Sequence, residues 1–259
     1  MSKAAGKVVL ITGAARRVGA GLARALAASG WSIAIHYRGG EAEAKALAAE
    51  LEGKGARAHA FGADLDDSAQ REALIPAVTA HFGRIDALIN NASLFQYDAL
   101  DSLTEASWAA HLSANFTAPV FLIQAFAKAI EAQASKGVVI NLLDHKIDSP
   151  NPDFFAYTAG KVGLAGMTRT LALGLAPHIR LCGIAPGLIL RSGDQTEAEY
   201  QAAWHDTPLG LGVSVEDVAR TARYILETPS LTGQNITLDA GETLVARGRD
   251  VAFDDKLLS

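Results

Sequence analysis

Residues 8–26 read VVLITGAARRVGAGLARAL, a short apolar run followed by a turn that contains Gly13 and Gly19 and then by an alanine-rich helical segment. An order of strand, glycine turn and helix is typical of phosphate-binding sites, because glycine lets the backbone approach a pyrophosphate and the helix N-terminus attracts its negative charge. The common G-x-G-x-x-G spacing is absent. For this segment alone, a helix entry without a ligand is therefore the alternative.

The same alternation of apolar runs and helical segments continues along the chain. Strands are predicted at 7–11, 32–36, 56–61, 85–89, 137–142, 179–184 and 235–239. Helices are predicted at 19–29, 41–53, 67–82, 104–132, 153–176 and 215–227. This order indicates one α/β domain over residues 1–259, with a doubly wound, Rossmann-type, seven-stranded parallel sheet and helices on both of its faces.

Two stretches lack this pattern. Residues 188–212, which include Gly193 and Pro208, follow the sixth predicted strand, where ligand-covering loops tend to lie. We interpret them as a substrate loop. The tail at 246–259 has mixed charge and no period, which leaves two interpretations: a disordered end, or a segment that docks on a neighbouring subunit.

The composition favours a small-molecule partner. The formal net charge of the 259 residues is −5, and the basic residues are scattered, which argues against nucleic acid or a membrane as the main partner. Cys182 is the single cysteine, and the apolar run near the start is too short for a signal or membrane segment, so we expect a cytoplasmic protein. The seven histidines show no paired ligand spacing, and no catalytic metal is expected.

The second predicted strand ends in the sequence His-Tyr-Arg at 36–38, about twenty residues after the glycine turn. An NAD enzyme would place an acid here for the ribose hydroxyls, but no acid is present. Arg38, together with Arg16 or Arg17, can instead bind a 2′-phosphate, so NADP(H) is preferred over NAD(H). The alternative makes Arg38 a solvated charge and uses Glu41 for the ribose.

Tyr157 and Lys161 are four residues apart, so on a helix they lie on the same face. We expect the lysine ammonium to lower the pKa of the phenol and so to let it exchange a proton near neutral pH. An acid, Asp144, precedes Tyr157 by thirteen residues.

The ordered motifs resemble those of the short-chain dehydrogenase/reductase family over essentially the whole chain. Beside the 12–19 turn and the Tyr157–Lys161 pair, the matches are Ala63-Asp64-Leu65, Asn90-Asn91-Ala92-Ser93, Asn115, Pro186-Gly187 and Asp239-Ala240-Gly241. The resemblance implies a cofactor site formed by Gly13, Arg16, Arg17, Val18, Gly19, His36, Tyr37, Arg38, Asp64, Leu65, Asn91, Ala92, Ser93, Tyr157, Lys161, Pro186, Gly187 and Leu188. It also implies a homotetramer in which the helices at 104–132 and 153–176 form subunit contacts.

Several departures from the general family pattern are similar to one subgroup, the pteridine reductases and bacterial dihydromonapterin reductases. They are Arg17 in place of the middle glycine of the turn, the His-Tyr-Arg end of the second strand, Ser93, Phe95, and Asp144 in place of the catalytic serine. The implied substrate-binding residues are Arg17, Ser93, Phe95, Asp144 and Tyr157.

The chemistry of these side chains suits a pterin. An ionised carboxylate at 144 only accepts hydrogen bonds and would repel a developing alkoxide, whereas a pterin offers ring N–H and amino donors. Phe95 can stack on a flat heterocycle, and Arg17 can bind its carbonyl or a cofactor phosphate. The alternatives are Phe95 as core filling, Arg17 as a contact to the cofactor only, and Asp144 as a surface carboxylate.

The resemblance therefore implies an NADPH-dependent reductase of pterins such as dihydromonapterin and dihydrobiopterin, with dihydrofolate as a further candidate. Tyr157 would donate the proton, Lys161 would depress its pKa and hold the cofactor ribose, Asp144 would orient the substrate and share the proton, and Asn115 would hold a water relay to the lysine. The main alternative is a carbonyl or 3-oxoacyl-thioester reductase of the same family. A cofactor-binding protein without turnover is a third interpretation.

Overall fold

The computed structural model describes residues 6–191, 195–245 and 247–253. Its strands are β1 (Val8–Ile11), β2 (Ser32–Tyr37), β3 (Ala58–Gly62), β4 (Ala87–Asn90), β5 (Gly137–Leu142), β6 (Ile179–Pro186) and β7 (Asn235–Leu238). They form a parallel seven-stranded sheet in the order β3-β2-β1-β4-β5-β6-β7. The predicted fold class is confirmed.

The helices cover both faces of this sheet. They are α1 (Arg17–Ala28), α2 (Glu41–Gly53), α3 (Ser68–Phe82), α4 (Glu105–Leu112), α5 (Ala118–Ala132), α6 (Phe155–Leu175), α7 (Glu197–His205) and α8 (Val215–Glu227). Short 3₁₀ turns lie at His145–Ile147, Glu242–Leu244 and Val251–Phe253. No helix among the described residues has both the length and the apolar character needed to cross a membrane.

Alternate residues of the strands enter two separate cores. In β1, Val9 and Ile11 pack with α1, α2 and α8, whereas Val8 and Leu10 pack with α3, α5 and α6 on the other face. All four side chains are fully buried, which explains why the strand is a continuous apolar run rather than an alternating one. Burial of each such side chain stabilises the fold by about 1.5–3 kcal/mol.

The strand order places the candidate site. After β1 the chain crosses to β2 on one side, and after β3 it returns to β4 on the other side of β1. The loops after β1 and β4 therefore diverge, which opens a crevice at the carboxyl ends of these strands.

Two predicted segments differ from the structure. The helix predicted at 104–132 is divided into α4 and α5 by a π-helical segment at Ser113–Thr117, which contains Asn115. The stretch interpreted as a loop at 188–212 contains α7, whose capping box joins Thr196 and Glu199. Gly193 lies outside the described residues.

The described part of the tail, 247–253, packs on its own chain. Arg249 pairs with Asp153 at 2.8 Å through both Nε and Nη2, and the Phe253 ring lies 4.8 Å from the Tyr97 ring. This packing differs from a disordered end, while docking of the tail on a neighbouring subunit stays a prediction. Ala246 and residues 254–259 lie outside the described residues.

Candidate active site

A cleft of about 510 Å³ crosses the carboxyl edge of the sheet, from Arg38 at one end to Tyr157 and Lys161 at the other. Every residue predicted to bind cofactor or substrate lines this cleft. Asn115, which was predicted as catalytic, does not line it, although its neighbour Ala114 does. The sequence motifs, which are far apart in the chain, thus converge on one site.

The glycine turn after β1 is held by the segment that follows β4. Gly13 has φ +61°, and a Cβ atom there would lie 3.0 Å from the Cα of Ala92, so both conformation and space require glycine. The Asn91 side-chain amide donates to the Thr12 carbonyl at 2.7 Å. Asn91 therefore shapes the turn from the side of the sheet.

His36 fixes the same turn from β2. Its Nδ1 accepts a hydrogen bond from the Gly13 N–H at 3.0 Å, and its Nε2 lies 3.0 Å from the Ala63 carbonyl. Burial lowers the pKa of His36 to about 4, so the ring is neutral and donates to Ala63. His36 lines the cleft, but both of its ring nitrogens are engaged within the protein.

Three arginines stand at the cofactor end of the cleft. Arg16 pairs with Glu43 at 2.6 Å and Arg38 with Asp66 at 3.3 Å, and both remain more than half exposed. Arg17 is exposed, and no described residue is hydrogen bonded to or paired with its guanidinium. All three cations are therefore accessible to an anion in the cleft.

The alternative that used Glu41 for a ribose is not favoured by the position of that side chain, whose carboxylate contacts Lys45 and also Tyr37. Glu41 pairs with Lys45 at 2.6 Å on the outer surface of α2, and this hydrogen bond lowers the pKa of its carboxyl. Glu41 does not line the cleft.

At the other end of the cleft, the Tyr157 hydroxyl donates to Asp144 Oδ2 at 2.7 Å. Lys161 Nζ donates to the Leu142 carbonyl at 2.6 Å and lies 5.6 Å from the centre of the Tyr157 ring. These side chains come together because α6 presents one face, with Tyr157 and Lys161 a turn apart, to the end of β5.

The predicted direction of the Tyr157 pKa shift is wrong. Burial raises the pKa of the phenol well above its usual value, and the Asp144 carboxylate raises it further. Burial also lowers the pKa of Lys161 to about 8. The Asp144 carboxylate accepts a hydrogen bond directly from the Tyr157 phenol, whereas the Lys161 ammonium is turned toward Leu142. This explains why Lys161 does not determine the direction of the Tyr157 pKa shift.

Asn115 supports the segment that follows β4. Its Oδ1 accepts from the Leu94 N–H and from the Ser93 hydroxyl, each at 2.9 Å, and its Nδ2 donates to the Leu94 carbonyl at 2.8 Å. The side chain thus anchors the segment after β4 from the π-helical turn. Its predicted role in a water relay to the lysine stays a prediction.

Phe95 forms an aromatic wall beside Tyr157. Its ring stacks on Phe154 with a centroid separation of 4.1 Å and meets Tyr157 edge-on at 4.7 Å. Phe95 is 39% exposed, which argues against core filling. Phe154, a supporting residue that sequence reasoning missed, has φ +56° at the start of α6.

The structure adds residues that the sequence did not indicate. His145 follows Asp144 directly, with its Nδ1 atom 3.3 Å from Asp144 Oδ1, while Asp250 and Val251 of the tail line the cleft. The sequence places His145 directly after Asp144, and this position could have indicated His145 as a site residue. Nothing in the sequence indicated that the tail folds back to line the cleft.

Comparison with known proteins agrees with this geometry. Residues 7–201 match a family model described as short chain dehydrogenase. A solved structure of FolM alternative dihydrofolate reductase 1 from Brucella suis, in complex with NADP, has a TM-score of 0.90 and 36% identity, covering 95% of this chain and 98% of that one.

Two curated relatives carry different names. Pteridine reductase 1 from Leishmania tarentolae is 31% identical over 92% of this chain and 96% of its own length. A 3-oxoacyl-[acyl-carrier-protein] reductase from Synechocystis is also 31% identical, over 93% of this chain and 98% of its own length. The relatives therefore agree on the family and differ in the substrate of the named reaction. The chain belongs to the short-chain dehydrogenase family of oxidoreductases.

Proposed function

We propose that this protein is an NADPH-dependent reductase of pterins, with dihydropterins or dihydrofolate as its substrate class. The observation that carries the proposal is the hydrogen bond from Tyr157 to the Asp144 carboxylate at the end of the cleft. Its support includes the likeness to a solved FolM alternative dihydrofolate reductase and to a pteridine reductase.

The cleft suits NADP(H). Gly13 and Gly19 leave the backbone open at the N-terminus of α1, where a Cβ on Gly19 would lie 2.6 Å from the Gly13 carbonyl oxygen. A pyrophosphate would be held by this turn, and a 2′-phosphate by Arg16 and Arg38. The end of β2 offers no acid for an unphosphorylated ribose. The related FolM structures from two Brucella species are NADP complexes.

Asp144 favours a pterin over a ketone. A carboxylate has no proton to donate to a ketone oxygen, and its charge opposes the negative charge that forms on that oxygen during reduction. A pterin instead presents N–H and amino groups that a carboxylate can accept, and its C=N bond is protonated at nitrogen.

When bound, NADPH would supply the hydride, and side chains of the protein would hold and transfer the proton. Tyr157 donates its phenolic proton to the ring nitrogen beside the reduced carbon. The raised pKa of Tyr157 keeps the phenol protonated at neutral pH, which is the state that a reductase needs. Asp144 holds the hydroxyl in place, and Lys161 contributes positive charge behind the phenol.

Phe95 and Arg17 would complete the substrate site. The exposed part of the Phe95 ring can cover a flat heterocycle, while its stacking on Phe154 keeps the ring in place. Arg17 has no partner among the described residues and faces the same cleft, so it is available for a pterin carbonyl.

The second candidate is a 3-oxoacyl-thioester reductase, which the Synechocystis relative favours. That reaction develops charge on a ketone oxygen and gains nothing from a carboxylate at position 144. The two candidates therefore make opposite predictions for the same purified protein.

The deciding experiment measures NADPH oxidation by the purified protein with dihydromonapterin, dihydrobiopterin, dihydrofolate and a β-ketoacyl ester in parallel. Turnover of the dihydropterins with little turnover of the ester is the expected result. Turnover of the ester alone would reject the pterin assignment. NADH at the same concentration tests the cofactor, and equal rates with NADH would reject the role given to Arg16 and Arg38.

A Tyr157→Phe variant tests the proton donor. Because the phenyl ring keeps the packing against Phe95 but has no proton to give, we expect turnover to fall by a factor of about 10² or more while NADPH binding stays measurable. Binding is followed by fluorescence titration. Retained turnover would mean that another group donates the proton.

A further inference from the structure

His145 lies between two carboxylates behind the active site. Its Nδ1 is 3.3 Å from Asp144 Oδ1, and its Nε2 is 3.5 Å from Glu242 Oε1. Glu242 comes from the turn after β7, nearly a hundred residues away in the chain, and its side chain is only 5% exposed. Asp144, His145 and Glu242 thus form a row that begins at the Tyr157 hydroxyl.

The inner nitrogen of His145 is incompletely satisfied. Nδ1 is buried and makes no hydrogen bond to any described residue, although Asp144 lies beside it. A buried polar atom without a partner is destabilising, because it has lost its hydrogen bonds to water. Each ring nitrogen of His145 lies within 3.5 Å of one carboxylate, so the ring spans the gap between Asp144 and Glu242.

A second, much smaller cavity lies beside His145. It has a volume of about 10 Å³ and is lined by His145, Glu242, Ser149 and Asn151 together with residues of the described tail. Such a volume is near the lower limit for one water molecule. His145, Asp250 and Val251 line both this cavity and the main cleft.

Tyr157 needs a source of protons from within the protein. The residue is 6% exposed, and its hydroxyl is bonded to Asp144. A flat substrate against Phe95 would cover the remaining access from the cleft. Replacement protons then arrive through Asp144 or from the side of Lys161.

We propose that His145 and Glu242 form a proton relay that resupplies Asp144 and Tyr157 from the side opposite the substrate. In each turnover, hydride passes to the ring carbon and the Tyr157 proton to the adjacent nitrogen, leaving a phenolate. A proton then moves from His145 Nδ1 to Asp144 and from Asp144 to the phenolate oxygen. His145 then takes a proton at Nε2 from Glu242, which regains its own proton from water. Before the next turnover the ring returns to its Nδ1–H tautomer by taking one water proton at Nδ1 and releasing one at Nε2, so the net uptake is one proton per turnover.

Other charged groups face this row. They are Lys161 beside Tyr157, Lys146 paired with Asp250 at 2.7 Å, Asp239 in the turn before Glu242, and Arg247, whose charge acts on Glu242. Burial nevertheless raises the pKa of Glu242, which brings its proton exchange closer to neutral pH. His145 and Glu242 act through Asp144, and neither needs to contact the substrate.

The test uses His145→Ala and Glu242→Gln, with His178→Ala as the matched control because His178 is exposed between α6 and β6. Dihydropterin reduction is measured across the neutral pH range in H₂O and D₂O, and NADPH binding separately. We expect kcat of both relay variants to fall about tenfold or more, with a larger solvent isotope effect and a changed pH profile. Added imidazole should restore part of the activity of His145→Ala only.

The expected KM and NADPH affinity stay within about twofold of the unsubstituted protein. A kcat, pH profile and isotope effect like those of the His178→Ala control would overturn the relay. So would a loss of kcat that imidazole does not restore and that accompanies weaker NADPH binding, since this would indicate a structural role.

The relay rests on the proposed function, but the two fail differently. If the unsubstituted protein reduces only the keto ester, the pterin assignment is overturned. The same variants then test the relay with that ester, because reduction of a ketone consumes one proton as well. Failure of the relay is seen in the variants, and failure of the pterin assignment in the unsubstituted protein.

Discussion

Asp144 is the side chain on which the chemistry of the cleft depends most. It accepts the Tyr157 hydroxyl through Oδ2 and the Lys146 backbone N–H through Oδ1, so both carboxylate oxygens are oriented. This geometry keeps the phenol protonated and presents a negative charge to the substrate. A serine at position 144 would present an uncharged hydroxyl that can donate a hydrogen bond to the substrate, instead of a negative charge.

An Asp144→Ser variant should therefore lose dihydropterin reduction and gain reduction of ketones. We expect kcat/KM for a dihydropterin to fall at least about tenfold, equivalent to about 1.4 kcal/mol of transition-state stabilisation. The pKa of Tyr157 should also fall, because the carboxylate that raises it is removed, and the pH profile should move to lower pH. Steady-state rates with a dihydropterin and a keto ester measure both effects.

Asp101→Ser is the matched control, since Asp101 lies on an exposed loop outside the cleft. Dihydropterin turnover that is the same in Asp144→Ser and Asp101→Ser would remove Asp144 from the mechanism.

The turn between β1 and α1 carries a strained arginine. Arg17 has φ +53°, in the left-handed region where a side chain costs about 1–2 kcal/mol and glycine costs little. This conformation explains why the family pattern has glycine here, and it indicates that the guanidinium serves a purpose that offsets the strain.

Replacing Arg17 separates the backbone from the side chain. Arg17→Gly and Arg17→Ala both lose the guanidinium, but only glycine relieves the strain, so Arg17→Gly should be more stable than Arg17→Ala by about 1 kcal/mol. Urea unfolding measures this difference. Both variants should lose dihydropterin reduction to a similar extent, and equal stability of the two would contradict the strain.

Elements with strong local patterns were predictable from the sequence, and those set by distant contacts were not. The strands follow their apolar runs to within a few residues. The π-helical segment depends on α6, where Gly160 lets Asn115 approach so closely that a Cβ would lie 3.0 Å from the Asn115 Cβ. The same holds for the candidate site: the Tyr157–Lys161 spacing is local, whereas the meeting of His145 with Glu242 requires the whole fold.

The helices α5 and α6 carry exposed apolar side chains that could form contacts between subunits. Phe121 and Val162 are each 45% exposed and Leu173 is 81% exposed. Homotetramer formation through these helices, expected from the family resemblance, stays a prediction. Light scattering of the purified protein should give four times the 27.1 kDa chain mass, and a Leu173→Glu variant should reduce it; a monomeric unsubstituted protein would contradict the prediction.

His36 connects the carboxyl ends of three strands, because it belongs to β2, accepts from the turn after β1 and donates to the segment after β3. Only the neutral ring can make both bonds, and burial lowers the pKa of His36 in the folded protein to about 4, below its ordinary value of about 6.5. As the pH falls, the unfolded chain therefore binds a proton at His36 that the folded protein does not bind. The contribution of the neutral His36 ring to the free energy of unfolding is fully present above pH 6.5 and is lost progressively as the pH falls toward 4.

Between pH 7 and pH 5, His36 alone should lower the free energy of unfolding by about 2 kcal/mol. A His36→Gln variant should lack this component, and its stability should change less over the same interval, whereas the exposed His178→Gln variant should follow the unsubstituted protein. Urea titrations at the two pH values measure the difference. Parallel pH dependence in all three proteins would show that His36 does not link the edge of the sheet to proton uptake.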